Sequence, residues 1–82
     1  MNYAIYKTSN GKHAHIVHRF TQEKCNHRAK AAAREKLHEM WLRVLQHPST
    51  MPNTSGTEDE FQYDYKLATG ICVRIRFYID KL

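Results

Sequence analysis

Five cationic or titratable side chains crowd one short stretch of the chain: Lys24, His27, Arg28, Lys30 and Arg34. On a helix they would occupy the first turns, where the macrodipole already places partial positive charge and favours acids. A basic helix start of this kind predicts an anionic partner, either phosphate groups or an Asp/Glu patch on a protein. A second group comprises Tyr6, His13, His15, Arg74, Arg76 and Tyr78. Cations interleaved with aromatics are what single-stranded nucleic acid stacks on and what protein hot spots use. The same residues supply a base, an acid and a cation, the three parts of metal-free RNA cleavage.

Other chemistries find less support. Cys25, His27, His13 and His15 lack the paired-knuckle or helical His spacing of a zinc site, and no motif calls for a cofactor. No Gly flanked by aromatics lies inside a strand-like run, as an RNA-recognition sheet requires. Cys25 and Cys72 read as thiols of a reducing compartment rather than as a disulfide framework.

These side chains must be positioned by elements legible in the hydrophobic pattern. Asn10-Gly11, between alternating runs, predicts a type I′ hairpin over residues 2–20. A two-residue loop pairs Ser9 with Lys12, hence Ile5 with Ile16, Tyr3 with His18 and Tyr6 with His15. Met1, Tyr3, Ile5, Ala14, Ile16 and Phe20 then share the core face, while Ala4, Tyr6, Thr8, His13, His15 and Val17 share the other. Residues 22–46 predict one long amphipathic helix, because Cys25, Ala29, Ala32, Ala33, Leu37, Met40, Trp41, Val44 and Leu45 recur at helical spacing. Thr21 is the expected N-cap, with Asn26 as the second choice, and Pro48 ends the helix. Residues 47–60, with Pro, Gly, Ser and Thr and then Glu58-Asp59-Glu60, predict a flexible loop.

The run 61–80 predicts a second hairpin. Phe61, Tyr63, Tyr65 and Leu67 alternate with polar residues, as do Val73, Ile75, Phe77 and Ile79. With Gly70 left-handed in a three-residue loop, Leu67 pairs with Ile71, Asp64 with Arg74 and Gln62 with Arg76. The expected architecture is a single α+β domain over residues 1–82, β-β-α-β-β. A mainly antiparallel four-stranded sheet carries the helix on one face and leaves the other open.

Length and charge bound the function. Eighty-two residues, 41% hydrophobic and 26% charged, are enough for one small core and too few for a deep substrate cleft. Residues 1–47 hold nine Lys/Arg against three Asp/Glu, while residues 48–82 hold four against five. All six histidines lie in the basic half. This asymmetry points to nucleic acid or an acidic protein surface as partner. No apolar run approaches the roughly 20 residues of a membrane span, and no basic stretch precedes an apolar segment near residue 1, so a cytoplasmic protein is expected.

The reading that fits is a small non-enzymatic binding protein. Its size and plainness suit an inhibitor or accessory protein of the phage or mobile-element type, one that blocks a host macromolecule by occupying its surface. Direct nucleic-acid binding is the alternative, and a small ribonuclease the weaker one. Open sheet edges also leave room for a homodimer.

Overall fold

Alternating apolar and polar residues favour strands, and here they build one antiparallel sheet from both ends of the chain. The computed structural model describes residues 2–21, 28–47 and 55–82. Its elements are β1 (Tyr3–Ser9), β2 (Lys12–Phe20), α1 (Ala29–Gln46), β3 (Ser55–Gly56), β4 (Glu60–Lys66) and β5 (Cys72–Lys81). The sheet order is β2-β1-β5-β4-β3. The two hairpins are joined by β1 and β5, which pair antiparallel from Tyr3–Lys81 to Ser9–Ile75.

Among the described residues the fold is α+β with one helix, as expected, but the sheet has five strands rather than four. The fifth arises within the stretch expected to be a flexible loop: Ser55 and Gly56 pair with Gln62 and Phe61. The Thr57 N–H donates to the Glu60 carbonyl at 2.7 Å and closes the turn. Gly56 is required by close approach, because a Cβ there would lie 2.7 Å from Phe61 Cβ and 2.8 Å from the Glu60 carbonyl oxygen. Two residues carry no alternation, so nothing in the hydrophobic pattern marks this strand.

The first hairpin turns where expected but departs from the expected register. Asn10 and Gly11 have φ of 52° and 73°, and Ser9 faces Lys12. Beyond the turn β2 gains a residue twice, so that Lys7 faces His15, Tyr6 faces Ile16, Ile5 faces His18 and Tyr3 faces Phe20. The expected pairs Ile5–Ile16, Tyr3–His18 and Tyr6–His15 are therefore replaced. His13, at φ 56°, lies within the first irregularity. The second lies at Val17, and it has a physical reason: Val17 joins Phe20 in packing against the core, while Ile16 moves across from Tyr6. Ala14 is exposed instead of lying on the core face.

The second hairpin keeps its expected register throughout, from Glu60–Tyr78 to Lys66–Cys72. Gly70 sits at φ 89°, and Leu67 N–H donates to the Ile71 carbonyl at 2.9 Å.

Helix α1 buries Ala29, Ala33 and Leu37, one per turn, with Met40, Trp41 and Val44 completing the stripe. The small residues let the helix approach the sheet closely at its start. Leu37, Ile5, Phe61 and Phe77 form the core, where each fully buried side chain is worth about 1.5–3 kcal/mol. Trp41 stacks on Phe61 at 5.8 Å and 5°, and Phe61 on Phe77 at 5.1 Å. Leu45, expected on the apolar stripe, is instead exposed, because the stripe follows Val44.

The helix is shorter than expected. It begins at Ala29 with Arg28 just outside, at φ −107° and ψ 22°, with no side-chain cap and no acid in the first turn. Thr21 is therefore not the cap of α1, and the expected turns at 22–27, Asn26 among them, lie outside the described residues. At the other end His47 is extended, as a residue before proline must be.

Candidate interaction surface

The even-numbered positions of β1 and β5 and their partners on β4 form the face away from α1. At its centre Tyr6 faces Tyr78 across the β1–β5 pair, and their rings stack with centroids 5.3 Å apart and planes 15° from parallel. The Tyr6 hydroxyl donates to the Lys81 carbonyl at 3.2 Å. The Arg76 guanidinium lies 4.6 Å from the Tyr78 ring centroid and is ion-paired with Glu60. Register explains the contact, since Glu60 faces Tyr78 and Gln62 faces Arg76. Tyr6, Tyr78, Arg76 and Glu60 thus form one contiguous cluster in which the two rings stack and the charge of Arg76 is paired.

Next along β5, Arg74 donates to Asp64 at 3.1 Å, the pairing expected from the hairpin register. Its backbone is clamped to the first turn: Asn10 N–H donates to the Arg74 carbonyl at 2.8 Å, and Arg74 N–H to Asn10 Oδ1 at 3.0 Å. A shallow hollow of about 350 Å³ lies here, lined by Thr8, Ala14, Gln62, Arg74, Arg76 and Tyr78. Both arginines carry a carboxylate partner, so the centre of the face is aromatic and close to neutral.

The structure divides the expected site residues. Tyr6, Arg74, Arg76 and Tyr78 are brought together as anticipated. His13 and His15 are not brought into that row as expected. The bulge moves His15 opposite Lys7, in the row alternating with Tyr6, and sets His13 at positive φ. Both histidines are exposed. Lys24 and His27 lie outside the described residues. Arg28 and Lys30 are exposed at the start of α1, with Lys30 Nζ 5.9 Å from the Tyr3 ring centroid.

Arg34, expected in the basic cluster that seeks an anionic partner, has carboxylate partners within the fold: it donates to Asp59 at 2.7 Å and reaches Glu58 at 3.4 Å, joining α1 to the β3–β4 turn. The hydrogen bond from Arg34, aided by the charges of Arg34 and Lys30 and opposed by burial, holds the Asp59 carboxyl below its ordinary value. The Arg34 guanidinium is raised correspondingly. The acidic triplet 58–60 therefore binds arginines within the fold, a role its position in an apparent loop gave no means to assign.

Among the described residues no three His, Cys, Asp or Glu side chains are grouped to hold a metal ion, and no helix is long and apolar enough to cross a membrane. Compared with known families, curated proteins and solved structures, the chain matches none.

Proposed function

We propose that this chain is a small non-enzymatic protein-binding domain, an inhibitor or accessory protein of the phage or mobile-element type. It acts by laying its open sheet face on a macromolecular partner in the cytoplasm. The observation that carries this reading is the Tyr6–Tyr78–Arg76 cluster, its two rings half-buried and stacked on one another and Arg76 exposed beside them. Tyr and Arg dominate protein hot spots, and rigid aromatic area lowers the entropy cost of binding. Neutralisation of Arg74 and Arg76 by Asp64 and Glu60 favours a protein over a phosphate backbone at this face, because the cations already have partners.

Direct nucleic-acid binding is the second reading, and one observation favours it: Arg28 and Lys30 stand exposed at a helix start that has no acid in its first turn. The ribonuclease reading is the weaker one, since His15 faces Lys7 and stands in the row alternating with Tyr6.

Site-specific photo-crosslinking separates these readings. A photoreactive side chain at Gln62, beside Arg76, should capture a discrete protein in nuclease-treated lysate, and the same group at exposed Glu35 of α1 should not. Equal capture from both positions, or capture abolished by nuclease, overturns the reading.

A further inference from the structure

The two edges of the sheet differ. On one side lies β3, only two residues long, which offers little to an added strand. On the other lies β2, nine residues or roughly 30 Å of extended backbone. It has β1 on its inner side and, among the described residues, no strand on its outer side.

The charge of this edge is one-sided. Residues 2–21 contain Lys7, Lys12 and Arg19, together with His13, His15 and His18, and no aspartate or glutamate. The ion-paired acids of the described chain lie elsewhere, on α1, β4 and the turn before β4. The pairing brings Asp80 toward this hairpin, opposite Ala4, and there it accepts the Lys81 N–H. Lys12 and Arg19, both exposed, stand at the two ends of β2 without an ion-pair partner among the described residues.

We propose that β2 is a docking edge for an extended acidic segment of a protein partner, added to the sheet as a further strand. An open strand offers N–H donors and C=O acceptors in alternation, which a polypeptide satisfies and a phosphate chain, carrying acceptors alone, does not. Lys12 faces Ser9 and Arg19 faces Ala4, so the two cations lie on opposite faces of the sheet, and an acidic side chain on each face of the added strand would lie beside one of them, where opposite charges across strands attract. A second copy is disfavoured by the same rule, because self-pairing would bring together two edges that carry Lys12, Arg19 and three histidines and no acid. The two bulges limit regular pairing to short stretches, so the segment is short. This edge is separate from the aromatic face, and either surface can fail alone.

The test uses the full chain and three labelled octapeptides, read by fluorescence anisotropy at low salt. One repeats Glu-Glu-Val-Val, which sets Glu on both faces of a strand, one is the same sequence with every amide N-methylated, and one repeats Lys-Lys-Val-Val. The acidic peptide should bind and slow amide exchange along β2. The N-methylated peptide keeps the charge but lacks the N–H donors, and it should bind about tenfold more weakly or worse, as should the Lys-containing peptide. Lys12→Glu with Arg19→Glu should weaken the acidic peptide about five- to tenfold without lowering thermal stability. Equal binding of the acidic and N-methylated peptides, no binding of either, tighter binding of oligothymidylate than of the acidic peptide, or dimerisation of the protein through β2 would each overturn the proposal.

Discussion

Removing either ring of the Tyr6–Tyr78 stack should cost stability as well as binding, and the two losses should overlap. Tyr6 and Tyr78 come from opposite ends of the chain and meet across the central β1–β5 pair at 5.3 Å, nearly parallel. Such pairs contribute about 0.5–1.5 kcal/mol beyond the area they bury. Tyr6→Ala also loses the hydrogen bond to the Lys81 carbonyl, which at 3.2 Å on an exposed site is worth about 0.5 kcal/mol. Tyr78→Ala also loses the Arg76 contact, about 0.5–1 kcal/mol at the surface. Each single change should therefore cost about 1–2.5 kcal/mol, a fall of roughly 4–20 °C in Tm for a domain of this size. The double change should cost less than the sum of the two by the shared stacking contribution, about 1 kcal/mol. Tyr6→Phe keeps the stack and should lose only the hydrogen bond. Urea unfolding of the wild type, both single variants and the double variant measures this coupling. Additivity within about 0.3 kcal/mol would mean that the rings do not support one another and that the face is not pre-ordered.

Gly56→Ala should destabilise by about 1–3 kcal/mol, because the new Cβ meets backbone atoms of Glu60 and Phe61 that cannot swing aside; faster exchange of the Thr57 amide would locate the damage at β3. His13→Gly should be neutral to stabilising by up to about 1 kcal/mol, since it relieves a left-handed conformation at the bulge, and a clear loss in urea unfolding would refute that origin of the bulge. Asp59 has a depressed folded-state pKa, so its ion pair with Arg34 stabilises above the unfolded carboxylate value of about 3.9 and is lost as pH falls through the folded value. Asp59→Asn should therefore lower the urea midpoint near neutral pH and converge with the wild type in acid; a gap independent of pH would contradict the linkage.

The second hairpin was legible residue by residue. Its alternation is clean from Phe61 to Ile79, and Gly70 defines the loop, so the pairs Asp64–Arg74 and Gln62–Arg76 follow from counting. The first hairpin announced its turn through Asn10-Gly11 but not its bulges. Ile16 and Val17 are adjacent apolar residues, and which of them faces the core depends on what α1 presents, a tertiary question. The same limit hid the Tyr6–Tyr78 stack. Both residues were assigned to the open face, but their contact depends on β1 lying beside β5, and strand order is not written in local periodicity. The internal partners of Arg34 are hidden for a related reason: the carboxylates that bind it lie 24 and 25 residues further along the chain.

The central claim is that the open face binds a protein through its aromatic stack, and the most direct measurement is calorimetric titration of the crosslinked partner, once purified, against four forms of this chain. These are the wild type, Tyr6→Ala, Tyr78→Ala and the double variant Arg28→Glu with Lys30→Glu. A hot spot predicts a loss of at least about 2 kcal/mol, roughly thirtyfold in Kd, for each tyrosine variant, with a small effect of charge reversal at the helix start. Near-wild-type affinity in the tyrosine variants, with the large loss falling on the Arg28 and Lys30 reversal, would contradict the account and move the binding site to the start of α1.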